Sequence, residues 1–376
     1  MSYAIPFFRP NIRQVEGKLF ERALQGEQAS LVQELEQVVC QETGSAHTIA
    51  AVNPASAIHL ALCALDIKRG DKIVCSVNAH PALPQMVRHF DAEPIFVDID
   101  PNNYNINLDA LETILRENTS KKLRGVMIPF VAGQAPALKR LYAIARTHGA
   151  FVLEDASGSY GLHYEGRAVG ALEADITILS LSPMGAAVAT NAGLLLTQNR
   201  DLADRARLLR SHGIDYQANP SVEYAYDVLE IGLDYLPSGL DAAATLSELA
   251  QAPALLKRRQ SIAARYRDAF KGVPHIENPA LESDHAFWAY IIKVDKNRDG
   301  FAKSLAQKQV QTGLHYIPLH MMSYYRHKYG LRITSFPKAL NNYQQILSLP
   351  IYAAMEDAEI EAVVAAVTEI ARARVW

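Results

Sequence analysis

Residues 151–197 read FVLEDASGSYGLHYEGRAVGALEADITILSLSPMGAAVATNAGLLLT, and this stretch decides the fold. The apolar run at 151–153 predicts a buried strand that delivers Glu154 and Asp155 at its carboxyl end. A Gly-rich, aromatic turn follows, then a second apolar strand at 176–181, a small-residue loop and a third strand at 193–197. In open α/β sheets, ligands sit beyond the carboxyl ends of the strands, so Asp155 is placed at a binding site.

Outward from this stretch, strand and helix signals alternate. Short apolar runs at 48–52, 72–77, 94–97 and 125–130 predict strands. Helical periods fall at 55–65, 81–90, 108–116, 135–147 and 202–212. Such alternation implies parallel strands with crossover helices, hence a doubly wound α/β sheet. From about residue 252 the texture changes. A long charged helix at 255–270 leads to an antiparallel-looking strand at 286–294, a helix at 301–308, a loop reading HYIPLH and an amphipathic helix at 357–372. The expected organisation is a large α/β domain over 1–251 and a smaller α+β domain over 252–376, packed rigidly with the site between them.

Composition sets outer bounds. The 376 residues are 49% hydrophobic and 20% charged, with a net charge of −3, as in ordinary globular proteins. Acidic and basic residues are mixed along the chain, with no basic block, which argues against a nucleic-acid partner. Cys40, Cys63 and Cys75 lack metal-type spacing and read as free thiols of a reducing compartment. The N-terminal MSYAIPFFRPNIRQ has no signal-peptide core, and no apolar run reaches membrane-spanning length. A cytoplasmic protein is expected.

The order of blocks resembles the DegT-type (StrS-like) sugar-nucleotide aminotransferases, which use pyridoxal phosphate on the aspartate-aminotransferase fold. Residues 5–12 (IPFFRPNI) look like the family's opening, and 70–107 have its rhythm of strand, helix, strand and Asp-x-Asp-x-x-x-x-Asn turn. PFVAGQAPAL (129–138) resembles its cofactor-side loop, and 228–249 its dimer-contacting segment. GLHYIPLH (313–320) and ILSLPIY (346–352) match its small domain. The resemblance implies fold type I of the pyridoxal-phosphate-dependent transferases: a mostly parallel, doubly wound sheet domain plus a smaller α+β C-terminal domain.

Position by position, the resemblance also implies a site. Asp155 would face the pyridine nitrogen as a charge-assisted partner. His80 falls where the family stacks an aromatic on the ring. Ala55 and Ser56, at the start of a helix, stand in the phosphate-binding turn, where free N–H groups attract anions. Pro54 removes one such N–H, so an N-capped structural helix remains an equal reading. Ser180 opens the Ser-x-x-Pro-x-Lys segment, but Gly185 occupies the position of the Schiff-base lysine. Glycine can neither hold the cofactor as an aldimine nor move protons for it. Ser157 and Gly158 replace residues near the cofactor's hydroxyl, and Thr190 and Asn191 replace the Gly-Glu loop. Asp234 and Leu236 stand where active members carry Asn and Arg. His315, Tyr316 and His320 match the His-Tyr-x-Pro-x-His loop that borders the nucleotide-sugar pocket. The same residues could equally shape and cap the small domain. No carboxylate or cysteine accompanies the histidines, so no metal is expected.

The implied function is that of a sugar-nucleotide aminotransferase homologue that does not transaminate by itself. It would be a binding, regulatory or partner subunit in nucleotide-sugar (surface-polysaccharide) biosynthesis, as a homodimer or a heterodimer with an active paralogue. Pyridoxal phosphate or its amino form would bind non-covalently, or no cofactor at all. Two alternatives stay open. One is a lysine-free, dehydratase-like enzyme using the amino form of the cofactor, with His80, His163 or His212 as base. The other is ordinary transamination with a lysine from elsewhere, Lys121, Lys122 and Lys139 being nearest in sequence.

Overall fold

A computed structural model describes residues 3–9, 16–118, 120–181, 191–216, 225–281 and 283–373. Seven strands form the main sheet: β1 (His47–Ala51), β2 (Lys72–Ser76), β3 (Glu93–Val97), β4 (Leu123–Pro129), β5 (Phe151–Asp155), β6 (Ile176–Ser180) and β7 (Gly193–Thr197). Their spatial order is β1-β7-β6-β5-β4-β2-β3. The pairs among β2, β3, β4, β5 and β6 are parallel, as the alternation predicts. Strand β7 runs against both of its neighbours, β1 and β6.

The pleat explains how both faces are covered. Val74, Val126, Ile128, Val152 and Leu194 face one apolar layer, while Ile73, Cys75, Met127, Leu153 and Leu195 face the other. Near-continuous apolar strands of this kind belong to sheets buried on both sides. The first layer is closed by helices α1 (Gly17–Leu24) and α2 (Gln28–Thr43). The second is closed by α3 (Pro54–Ala64) and α4 (Ala82–Arg88). Helix α3 is apolar nearly all round, consistent with its burial.

A separate apolar cluster gathers helix Ala252–Ala269, the strand Tyr290–Val294 and the closing helix Asp357–Arg372. A three-stranded antiparallel sheet, Ile276–Glu277, Tyr290–Val294 and Ile346–Leu349, lies at its centre. The N-terminal segment joins this cluster rather than the main sheet. Ile5 pairs with Val310, and Phe7 accepts no lone position, because its N–H donates to Gln311 Oε1 at 3.0 Å.

Two loops tie the parts together. The turn after β4 bends through Ala132 (φ 58°) and Gly133 (φ 94°), where a Cβ on Gly133 would lie 2.8 Å from the Ala286 methyl. The close approach lets Ala286 N–H donate to Gly133 C=O (2.8 Å) and Trp288 N–H to Ala132 C=O (3.1 Å). Asn105, the Asn of the Asp-x-Asp-x-x-x-x-Asn turn, is fully buried and pins this loop. Its Oδ1 accepts from Val131 N–H (3.1 Å) and its Nδ2 donates to Gln134 C=O (2.9 Å).

Candidate functional site

A cavity of about 620 Å³ opens at the carboxyl ends of β4 and β5. Asp155, Ser157 and Gly158 come from β5 and the turn after it, and Pro129 and Phe130 from the end of β4. His80 and Ala82 follow β2, and Asn53, Pro54, Ala55 and Ile58 belong to the start of α3. Trp288 and Tyr316 close the opposite side, and Asn191 stands just before β7.

Asp155 is the acid of this cavity. Its Oδ1 accepts from the Ser157 N–H at 3.2 Å. Burial pushes its carboxyl above the usual range, while the Ser157 donors and the neighbouring His80 pull it back. His80 is held by the Ala82 N–H, which donates to its Nδ1 at 3.2 Å. That bond leaves Nε2 as the protonated nitrogen of the neutral ring. The His80 ring meets the Tyr316 ring edge-on, with centroids 6.4 Å apart.

Tyr316 is anchored through its backbone, whose N–H donates to Asn78 Oδ1 at 3.2 Å. Burial and the nearby Asp155 charge push its phenol well up, so it stays a neutral hydroxyl. Trp288 tilts against Tyr316 at 6.1 Å, and its Nε1–H donates to Phe130 C=O at 3.3 Å. The two aromatic walls are therefore fixed to the scaffold, Tyr316 through its backbone and Trp288 through its indole N–H.

The start of α3 is a closed cap. Asn53 is the N-cap residue, and its Oδ1 accepts from the Ser56 N–H at 2.8 Å. Its backbone carbonyl accepts from the Ala57 N–H at 3.0 Å. Pro54 at the first helical position has no N–H. Gly193 at the start of β7 packs on this cap so tightly that a Cβ there would sit 2.4 Å from Asn53 O.

Of the residues expected at the site, Asp155, His80, Ala55 and Tyr316 meet in the cavity, and the others are set apart from it. Ser56 is buried in the first turn of α3, its N–H consumed by Asn53. Ser180 is buried at the end of β6, where its carbonyl accepts from the Gly158 N–H at 3.0 Å. His315 turns away from the cavity: its Nδ1 contacts Ser348 Oγ at 2.9 Å, Phe7 stacks on it, and burial pushes it down to about 4. His320 is fully buried with Nε2 on the Ile333 carbonyl at 3.0 Å, and burial lowers it also. Burial keeps both rings neutral, and each is hydrogen-bonded within the protein, His320 also packing on Phe336. Gly185 and Thr190 lie outside the described residues.

The other candidate bases and amines stand elsewhere. His163 and His212 are exposed and do not line the cavity. Lys122 pairs with Asp71 at 3.2 Å, and Lys139 pairs with Glu165. Asp234 is exposed, with its backbone bridged to Ser211. The three cysteines are free, and burial lifts the Cys63 thiol to about 11. Among the described residues no group of three or more His, Cys, Asp or Glu could hold a metal, and no helix is long and apolar enough to cross a membrane. Sequence reasoning missed Phe130 and Trp288, and foresaw a capped helix at 53–56 without naming Asn53 as its cap. An Asn directly before Pro and a helical apolar run was a signal for that cap.

Residues 11–368 match the DegT/DnrJ/EryC1/StrS aminotransferase family. The chain belongs to this family. The spore coat polysaccharide biosynthesis protein SpsC of Bacillus subtilis is 31% identical over 355 residues, covering 91% of this chain and 90% of SpsC. Two solved structures extend the likeness to the fold. The Streptococcus pneumoniae protein Spr1654, in its PMP form, matches with a TM-score of 0.90 and 22% identity over 98% of each chain. Helicobacter pylori PseC, an aminotransferase involved in the biosynthesis of pseudoaminic acid, matches with a TM-score of 0.88 and 20% identity. It covers 98% of this chain and 99% of PseC. The fold is that of the type I pyridoxal-phosphate-dependent transferases.

The cavity fits the family's cofactor at one end only. A pyridine ring finds Asp155 for its nitrogen and aromatic neighbours for its faces. A phosphate finds, among the described residues, no Lys or Arg in the lining and a helix terminus already capped from within.

Proposed function

We propose that this chain binds a small ligand in the Asp155 cavity without running an amino-transfer cycle by itself. It would serve as a binding, regulatory or partner subunit in nucleotide-sugar or polysaccharide biosynthesis. One observation carries the reading: Gly185 stands where the family resemblance places the Schiff-base lysine. In support, no lysine lines the cavity among the described residues, and Lys122 and Lys139 are engaged with acids elsewhere. The relatives' printed roles in spore coat polysaccharide and pseudoaminic acid biosynthesis support the sugar setting. What the chain's own residues can do is bind and orient. Asp155 offers a negative charge, Tyr316 and Trp288 offer ring faces, and His80 offers an Nε2–H donor.

The exposed apolar side chains Tyr226, Val228, Leu229 and Ile231 lie on or beside the segment resembling the family's dimer contact. Ile231 is 97% exposed in the single chain. They support assembly with a second copy or with an active paralogue, which light scattering of the purified chain tests.

The deciding experiment is borohydride reduction in the presence of pyridoxal phosphate, followed by peptide mapping. The expected result is weak labelling of surface lysines and no stoichiometric adduct. A stoichiometric adduct on one pocket lysine would overturn the proposal. The lysine-free enzyme remains the second reading, favoured by the presence of His80 in the cavity beside Asp155. Turnover of a nucleotide-linked keto sugar that disappears in His80→Ala would establish it.

A further inference from the structure

We infer that the Asp155 cavity selects a planar, cationic heterocycle that carries no phosphate. The inference deepens the non-covalent reading above, and concerns which ligand chemistry that site accepts.

The argument begins at the two ends of the cavity. At the ring end, Asp155 offers a desolvated carboxylate that accepts from the Ser157 N–H at 3.2 Å. A carboxylate has room for several donors, and a ligand N–H bearing positive charge would form a charge-assisted bond there. Trp288 and Tyr316 line the cavity alongside, and such aromatic walls favour a flat cation. At the α3 end the same logic runs the other way. A helix start attracts phosphate through its unbonded N–H groups. Here Pro54 has none, the Ser56 N–H is spent on Asn53 Oδ1 and the Ala57 N–H makes the first intrahelical bond to Asn53 C=O, so of the first turn only the Ala55 N–H is left to face the cavity.

The cap cannot easily step aside. Gly193 leaves no space behind Asn53, since even a methyl there would overlap the Asn53 carbonyl. The Asn53 main chain therefore has no room to retreat towards β7. Asp155 is the one charged side chain among the described residues of the lining, which hold no Lys or Arg to balance an anion. A phosphate dianion would meet the Asp155 charge with only neutral donors such as His80 and Asn191 to offset it, whereas a cation would be welcomed.

The test uses the full chain with Trp376→Phe, which leaves Trp288 as its one tryptophan, so fluorescence reports from the cavity wall. Pyridoxamine and pyridoxamine 5′-phosphate are titrated separately, and inorganic phosphate is added as competitor. Neither amine can form an adduct with a lysine aldehyde-fashion, so the result is independent of the borohydride experiment. We expect pyridoxamine to bind at least as tightly as its phosphate ester, with no competition from inorganic phosphate. Asp155→Asn should weaken pyridoxamine tenfold or more. Asn53→Ala combined with Pro54→Gly should shift preference towards the phosphate ester by several-fold. The inference fails if the ester binds tenfold tighter than pyridoxamine, if inorganic phosphate competes, or if neither amine perturbs Trp288. It fails also if the cap variant leaves the preference unchanged. A pocket adduct trapped by borohydride would sink the non-covalent reading while leaving a measured preference for the unphosphorylated amine intact.

Discussion

Glu154 and Asp155 are consecutive acids on one strand, yet the pleat sends them to opposite faces of the sheet and into different employment. Glu154 is fully buried, and the fold supplies its partners: the Tyr142 hydroxyl donates to Oε1, and the Thr177 hydroxyl donates to Oε2 at 2.8 Å. Asp155 lines the cavity, with Ser157 beside it and the remaining lone pairs turned to whatever enters. Burial lifts both carboxyls, that of Glu154 to about 7. An acid whose donors come from its own scaffold is part of the architecture. An acid left short of donors at a cavity is prepared for a ligand.

The largest effect should come from breaking the architectural half. Glu154→Ala removes a buried side chain and strands the Tyr142 and Thr177 hydroxyls, costing about 3 kcal/mol or more. Urea denaturation measures this directly, and a loss below 1 kcal/mol would place Glu154 outside the supporting network.

The pH dependence sharpens the same contrast. The folded value for Glu154, about 7, lies above the ordinary glutamate value of about 4.3 in an unfolded chain. Between these values the native state keeps a proton that the unfolded state has released. Stability from this group is thus fully present below about pH 4 and drains away as pH rises towards 7, by up to roughly 3 kcal/mol. Urea midpoints between pH 5 and 8 should fall with pH in the wild type and flatten in Glu154→Gln. Equal slopes in both proteins would show that Glu154 is ionised throughout.

A smaller loss is expected where the two faces are linked. Asn105→Ala deprives Val131 N–H and Gln134 C=O of their partner and loosens the loop that carries Phe130 and docks Trp288. The cost should be about 2 kcal/mol, together with a red shift of Trp288 emission as its indole becomes wetter. An unshifted spectrum would mean that the wall is held by other contacts. Least of all should follow from Asp155→Asn, within about 0.5 kcal/mol of wild type by thermal melting. A large drop there would make Asp155 a structural acid like its neighbour and erase the comparison.

What was legible in the sequence follows the range of the physics involved. The alternating sheet, the apolar strands and the placement of Asp155 at a strand end depend on local pattern, and the sheet and its order of elements agree with them. Gly193 was legible as the start of a strand, but its reason, the pressure of Asn53 behind it, was not. The phosphate turn was open between two readings because a cap and an anion compete for the same N–H groups; the 2.8 Å bond from Ser56 to Asn53 shows the cap formed, which residue types alone could not. The histidine loop shows the limit most clearly. His315, Tyr316 and His320 share one short motif, and only tertiary packing turns Tyr316 to the cavity and the histidines to Ser348 and Ile333. Trp288 had no local signal at all, since its place at the wall is made by the distant loop at 130–133.

The pairing of Ile5 with the strand-like segment near Val310 has a consequence in time. Ile5 N–H donates to Gln309 C=O, and Gln311 N–H donates to Ile5 C=O, each at 3.0 Å. A ribosome adding about 5–20 residues per second makes the first partner roughly 15–60 s before the second exists. During that interval the opening residues have nowhere native to go, and Phe7 waits for the His315 ring on which it finally stacks. The strap at residues 5–7 is made long before the segments it docks on, so it seals the second cluster only after about 300 further residues have been added.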